Sequence, residues 1–411
     1  MSLLRDESRS FALIFDSALS LGTCGEYVRP CPGWVHYYCA MSNEVEIGKG
    51  RLARVGFSFD DIAIVPSRRT RDAADVSTAW QLDAYLLEAP IIGAPMDSVT
   101  SPATAIALGR MGLLGVLDLE GVWTRYDDPE PLLDEIAQLP EAGVHARMQE
   151  IYSEPIKPRL IVDRLAEIRD AGVTVAGALS PARTQEYWKT VVDAGVDLFV
   201  IRGTTVSAEH VSSNREPLNL KRFIYDLDVP VIVGGVASYQ AALHLMRTGA
   251  AGVLAGFGGG ATSANRRTIG VAVPMATAVA SVAAARREYM DETGGRYVQV
   301  IADGQVSTSG DMIRAIACGA DAVMLGTALA RAIDAPGRGY HWGNEAYNRH
   351  LLRGERVGVE QAGMLEQIIN GPSLDSAGTT NFVGALKQAM AMTGYSDVKE
   401  FQRVGIVTGR G

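Results

Sequence analysis

Eight short apolar runs recur along the chain from residue 89, and amphipathic stretches separate most of them. They are APIIGAPM (89–96), LLGVLDL (113–119), TVAGALS (174–180), DLFVIRG (197–203), PVIVGGV (230–236), GVLAGFG (252–258), YVQVIADG (297–304) and DAVMLGT (321–327). Most are rich in Val, Ile, Leu and Ala, the pattern of a strand buried on both faces of a parallel sheet. Helical spacing is read at 102–110, 160–171, 182–194, 238–248, 274–289 and 309–318, the last capped by Ser309. Eight such units in order predict a closed (β/α)8 (TIM) barrel, with an open doubly wound sheet as the alternative.

Two segments break the repeat. Residues 120–158 read as an irregular, charged, Pro-containing connection after the second strand, and residues 335–375 as a long loop excursion after the eighth. Loops of that length in a compact domain are usually lids or mobile segments. The segment TNFVGALKQAMAMTGYSDVKEF supplies a last barrel helix and a short tail. Residues 1–40 stand apart, with three of the four cysteines (Cys24, Cys31, Cys39) and no sustained amphipathic period. Asp6, Glu7, Arg9 and Asp16 interrupt the apolar core that a signal peptide needs. The expectation is a disordered or artefactual extension, with translation starting at Met41 and a single barrel domain over 41–411.

Composition narrows the function classes. The 411 residues carry a net charge of −9, and 47% are hydrophobic, enough for a large core. No basic cluster suggests nucleic-acid binding, and no apolar run reaches the roughly 18 residues of a membrane span. The four cysteines lack disulfide or zinc spacing, which points to a reducing cytoplasm, and the six histidines show no ligand pairing at short spacing.

In a barrel, chemistry sits just past the C-terminal ends of the strands. Those positions are Met96-Asp97, Asp118, Ser180, Arg202, Gly235, the loop GFGGGATS (256–263), Asp303 and Gly326-Thr327. Loops after the last two strands of such barrels commonly hold a phosphate. Asp303 can accept both hydroxyls of a ribose diol, or can simply be the first residue of an Asp-Gly turn. Thr327 suits a phosphate oxygen or barrel packing. Gly256, Gly258 and Gly260 permit close backbone approach to a ligand or ion. Leu254 on the sixth strand excludes a Schiff-base lysine there. Cys318 lies in a helix pattern and reads as an inert core thiol. No Ser-His-Asp set can be assembled from the strand ends.

The segments FSFDDIAIVPSRRT (57–70), APMDSVTSPATAIALGRMGLLGVL (94–117), IADGQVSTSGDMIRAIACGADAVMLGT (301–327) and FVGALKQAMAMTGY (382–395) resemble the IMP dehydrogenase and GMP reductase family, in family order, from about residue 45 to the C-terminus. The closest branch is the short IMP dehydrogenase-related one, since 120–158 is too short for a pair of CBS modules. The resemblance implies a loop cysteine that attacks C2 of IMP, hydride transfer to NAD, and hydrolysis of the adduct to XMP by water that a mobile flap activates. The same fold runs reductive deamination of GMP. It implies Asp303 for the ribose, Gly304, Gly326 and Thr327 for phosphate, and Met96 against the base. Arg202, Gly256 and Gly258 fall on the cofactor side, and Gly258 and Gly260 at a potassium site. A homo-tetramer or other homo-oligomer in purine (GMP) biosynthesis is implied too.

The chemical positions depart from the family pattern. Ser263 falls where the cysteine is expected, and the chain has no cysteine between Cys39 and Cys318. Asn265 stands for a threonine, Arg202 for a strand-four aspartate, Gly235 for an asparagine and Leu254 for a basic residue. Gln305 stands for the second glycine of an Asp-Gly-Gly turn, and Ala261 for a phosphate-binding serine. The water-activating Arg-Tyr pair is not found in 335–375. Three readings follow: an IMP dehydrogenase-type oxidoreductase, a nucleotide-binding homologue with a regulatory or assembly role, and a barrel enzyme for another phosphorylated substrate with Arg202 as an anion contact.

Overall fold

The computed structural model describes residues 44–213, 216–256 and 260–409. The extension expected over 1–40 lies outside the described residues. The chain divides into two compact units, Met1–Val55 and Gly56–Gly411. In the first, Glu44–Gly48 pairs antiparallel with Arg51–Arg54 in an exposed hairpin.

The second unit is built on a closed barrel of eight parallel strands: β1 (Ile91–Gly93), β2 (Leu114–Asp118), β3 (Ala176–Leu179), β4 (Leu198–Arg202), β5 (Val231–Val236), β6 (Gly252–Ala255), β7 (Gln299–Asp303) and β8 (Ala322–Leu325). β8 closes on β1 through the pairs Val323 with Ile91 and Leu325 with Gly93. Each strand lies inside one of the eight apolar runs, because burial on both faces requires the unbroken apolar pattern; every residue of β2 and β5 is buried.

Local chemistry sets the helix starts. Ser101 accepts from the Thr104 amide at 3.0 Å and Pro102 opens Pro102–Arg110. The helix Ser309–Ala317 is capped by Thr308 rather than Ser309: the Thr308 hydroxyl accepts from the Asp311 amide at 3.2 Å, and the Asp311 carboxylate accepts from the Thr308 amide at 2.9 Å. This reciprocal box contributes about 1 kcal/mol and orients the segment after β7.

The connection after β2 is more regular than its composition suggested. It forms two helices, Glu130–Gln138 and Val144–Ile151, that bury Leu133, Ile136 and Met148. The excursion after β8 carries a two-residue ladder, Tyr340–His341 with Val357–Gly358, and two short helical turns, Asn344–Tyr347 and Leu365–Asn370. At the N-terminal end of the barrel the Asp321 carboxylate pairs with Arg286 and accepts the Val300 amide at 2.8 Å. Among the described residues no helix is long and apolar enough to cross a membrane.

Candidate functional site

The C-terminal strand ends surround a cavity of about 380 Å³. Met96, Arg202, Gly256, Asp303 and Gly304 line it, with Gly326 and Thr327 after β8 and Gly260 and Ser263 from the glycine loop. Gly258 lies outside the described residues. The excursion adds His341, Glu345 and Tyr347 to the wall. Barrel closure therefore brings the expected residues to one place, although they span more than two hundred positions of sequence.

Arg202 and Asp303 face each other across the mouth. Arg202 Nε donates to Asp303 Oδ2 at 2.9 Å and Nη2 to Oδ1 at 3.3 Å, with side chains 25% and 14% exposed. Burial opposes the guanidinium charge, but the Asp303 carboxylate overcomes it and holds the Arg202 pKa above its ordinary value. Each Asp303 oxygen thus accepts one hydrogen bond from Arg202, and the arginine's Nε and Nη2 are engaged by that carboxylate. Gly256 makes this arrangement possible: a Cβ there would stand 1.9 Å from the Asp303 carbonyl oxygen. Gln305 takes the left-handed turn position with φ +54°.

Ser263 sits in a loop zipped to the excursion. The Glu355 amide donates to Thr262 O at 2.8 Å, the Ala264 amide to Arg353 O at 2.6 Å, and Ser263 bridges Gly354 in antiparallel fashion. Ser263 Oγ accepts from Asn265 Nδ2 at 3.2 Å. Among the described residues neither a histidine nor a carboxylate hydrogen-bonds that oxygen. The Gly260 carbonyl accepts the Ser263 amide at 3.0 Å. No cluster of three His, Cys, Asp or Glu side chains suited to a metal occurs among the described residues.

Two features carried no role in the sequence. The first is a buried carboxylate pair, Asp97 after β1 and Asp118 at the end of β2, each 3% exposed. Asp97 Oδ2 accepts from the Val122 amide (2.9 Å) and the Tyr152 hydroxyl (2.7 Å), while Oδ1 has no partner. Asp118 Oδ1 accepts from the Glu120 amide at 2.9 Å, while Oδ2 has none. Tyr152 accepts from Trp342 Nε1 at 2.9 Å and is stacked by Tyr347, ring centroids 3.6 Å apart. Burial raises Asp97 to about 6, against smaller opposing hydrogen bonds. Burial, then the charges of Asp97 and Glu120, raises Asp118 well above the carboxylate range. Neither forms an ion pair, and the charge of Arg125 opposes the rise only in part, so burial favours the protonated form of the pair. The signals were present as the Met-Asp and Leu-Asp-Leu-Glu strand ends, but nothing local showed that the two meet.

The second is His341, 2% exposed, whose Nδ1 lies 2.9 Å from Ser98 Oγ. The tautomer follows from Ser98. Its single O–H donates to the Trp342 carbonyl (3.1 Å), and its oxygen accepts the Trp342 amide (3.2 Å). In the tautomer that keeps the Ser98 O–H on the Trp342 carbonyl, Nδ1 carries the proton and donates, which leaves Nε2 as a lone pair beside Gly326, 3.3 Å from where a Cβ on that glycine would be. Burial, then the positive charge of Arg202, lowers this imidazole to about 3, so it is neutral.

Fold and cavity together define a (β/α)8-barrel protein with a cavity at its C-terminal mouth, lined by paired charges and glycines. The IMP dehydrogenase / GMP reductase domain description matches residues 56–408, and the chain belongs to that family of oxidoreductases. A Mycolicibacterium smegmatis protein described as an uncharacterized oxidoreductase is 51% identical, over 89% of this chain and 100% of its own length. A crystal structure of an IMP dehydrogenase/GMP reductase-like protein from Corynebacterium glutamicum matches with a TM-score of 0.86 and 47% identity, covering 91% of this chain and 100% of the other. The inosine-5'-monophosphate dehydrogenase of Methanocaldococcus jannaschii is 27% identical across 70% of this chain and 74% of its own length.

Proposed function

We propose that the barrel mouth binds a purine nucleoside monophosphate and does not oxidise IMP, for want of the loop thiol that would form a covalent adduct. The observation that carries this reading is the environment of Ser263, which the resemblance sets at the family's cysteine position: its Oγ is hydrogen-bonded to Asn265, with no histidine or carboxylate hydrogen-bonded to it among the described residues. A hydroxyl needs such a base to add to a ring carbon, whereas a thiolate does not. Gly304, Gly326 and Thr327 are offered to the phosphate and Met96 to the base. Of the residues expected for NAD, Arg202 is paired with Asp303 and Gly256 lines the cavity. On family grounds the assembly is a homo-tetramer or other homo-oligomer, which light scattering tests.

The experiment is a thermal-shift titration of the full chain with IMP, XMP, GMP and AMP, with and without NAD, beside an absorbance assay for NADH. A ligand that binds the folded state raises the melting temperature by mass action. A rise with IMP, XMP or GMP and no NADH from IMP supports the reading. NADH formation by the wild-type chain refutes its catalytic half, and no rise with any purine nucleotide refutes its binding half.

A further inference from the structure

We propose that His341 makes recognition of a phosphomonoester at Gly326-Thr327 conditional on the uptake of one proton. This deepens the reading above and rests on it for where the phosphate sits. The argument is one of matching donors and acceptors. His341 is buried, lines the cavity, and presents its Nε2 at Gly326. Ser98 and the main chain of Trp342 hold the ring so that Nδ1 is the donor, leaving Nε2 an acceptor with no protein partner among the described residues. Above its second pKa of about 6, a phosphomonoester is a dianion with acceptor oxygens only. Two acceptors cannot hydrogen-bond without a proton between them. The complex therefore gains one proton relative to the free partners, whether it resides on Nε2 or on the phosphate.

The surroundings agree on the direction. Met96, Ser98, Trp342 and Gly326 are neutral. Arg202 is the cation that acts on the ring, and its charge is balanced by Asp303. Glu345, from the excursion, takes the Thr204 hydroxyl at 2.7 Å. The free imidazole is thus kept neutral, and the charge that would make it a donor arrives with the ligand. Neither the glycine loop nor Ser263 takes part, so the inference does not depend on any turnover.

The test is calorimetry on the full chain with IMP, and separately with inorganic phosphate, in buffers of different ionisation enthalpy at a pH about two units above the phosphate pKa. The expected result is close to one proton taken up per ligand bound, and affinity that falls tenfold for each further pH unit. His341→Gln places an amide N–H near the position of Nε2; this variant should bind with little proton uptake and a flat pH profile, its fold checked by thermal melting. Binding of IMP without proton uptake overturns the inference and leaves nucleotide binding standing. Uptake that persists in His341→Gln also overturns it, because the proton then resides elsewhere, as on the Asp97 and Asp118 pair. If IMP does not bind, the nucleotide reading fails; phosphate bound with proton uptake then still supports the role of His341. Failure of both ligands to bind removes both.

Discussion

Replacing Arg202 by methionine should destabilise the protein and at the same time improve its grip on a ribose. The guanidinium makes both hydrogen bonds to Asp303, at 2.9 and 3.3 Å, and both side chains are largely shielded from solvent. Breaking a buried pair by removing one partner costs about 3–5 kcal/mol; the residual exposure here argues for roughly 2–4 kcal/mol. For a barrel of this size that is a fall in melting temperature of roughly 3–5 °C. The vacated oxygens can then accept the ribose hydroxyls. Hydrogen bonds to a charged group contribute about 1.5–3 kcal/mol each, so IMP should bind at least about tenfold more tightly to the variant. Calorimetry with IMP and with its 2',3'-dideoxy analogue isolates the effect, since only the diol should gain. Equal IMP affinity in wild type and variant would refute the idea that Arg202 competes with the ribose, and an unchanged melting temperature would refute the energetic weight given to the pair.

Two further outcomes are expected. Asp97 and Asp118 titrate above their unfolded value near 3.8, so the stability they contribute is present below about pH 4 and is lost as pH rises through about 6 and beyond; for Asp97 alone the loss is about 3 kcal/mol. Asp118→Asn should flatten that decline in urea midpoints between pH 5 and 8 and make the protein the more stable of the two at pH 8; parallel curves would count against the buried pair. Ser263→Cys should create a thiol that iodoacetamide modifies before Cys318, because Asn265 donates to that position whereas burial raises Cys318 to about 11; peptide mapping showing Cys318 modified first would contradict this geometry.

The barrel was legible because strands buried on both faces leave unbroken apolar runs, and all eight runs contain the strands seen. The helices Glu130–Gln138 and Val144–Ile151 were missed although Leu132, Leu133 and Ile136 have helical spacing. Pro129 and Pro140 flank the first and Pro131 lies in its opening turn; with the many charges they give the segment the composition of a loop. The mouth of the cavity was legible as a set of strand ends, since the architecture alone decides which residues face it. Their partners were not. Arg202 and Asp303 are 101 residues apart, and only closure of the barrel makes one the counterion of the other. His341, Glu345 and Tyr347 come from an excursion without periodicity, so no pattern marked them.

The hydrogen bonds from Ala264 to Arg353 and from Glu355 to Thr262 join two segments that are about ninety positions apart in the chain. They behave as one panel, and neither can be exchanged alone. A cysteine-bearing loop transplanted from a relative would arrive without the backbone that holds its far edge. Engineers wishing to install thiol chemistry in this barrel must therefore graft both segments together.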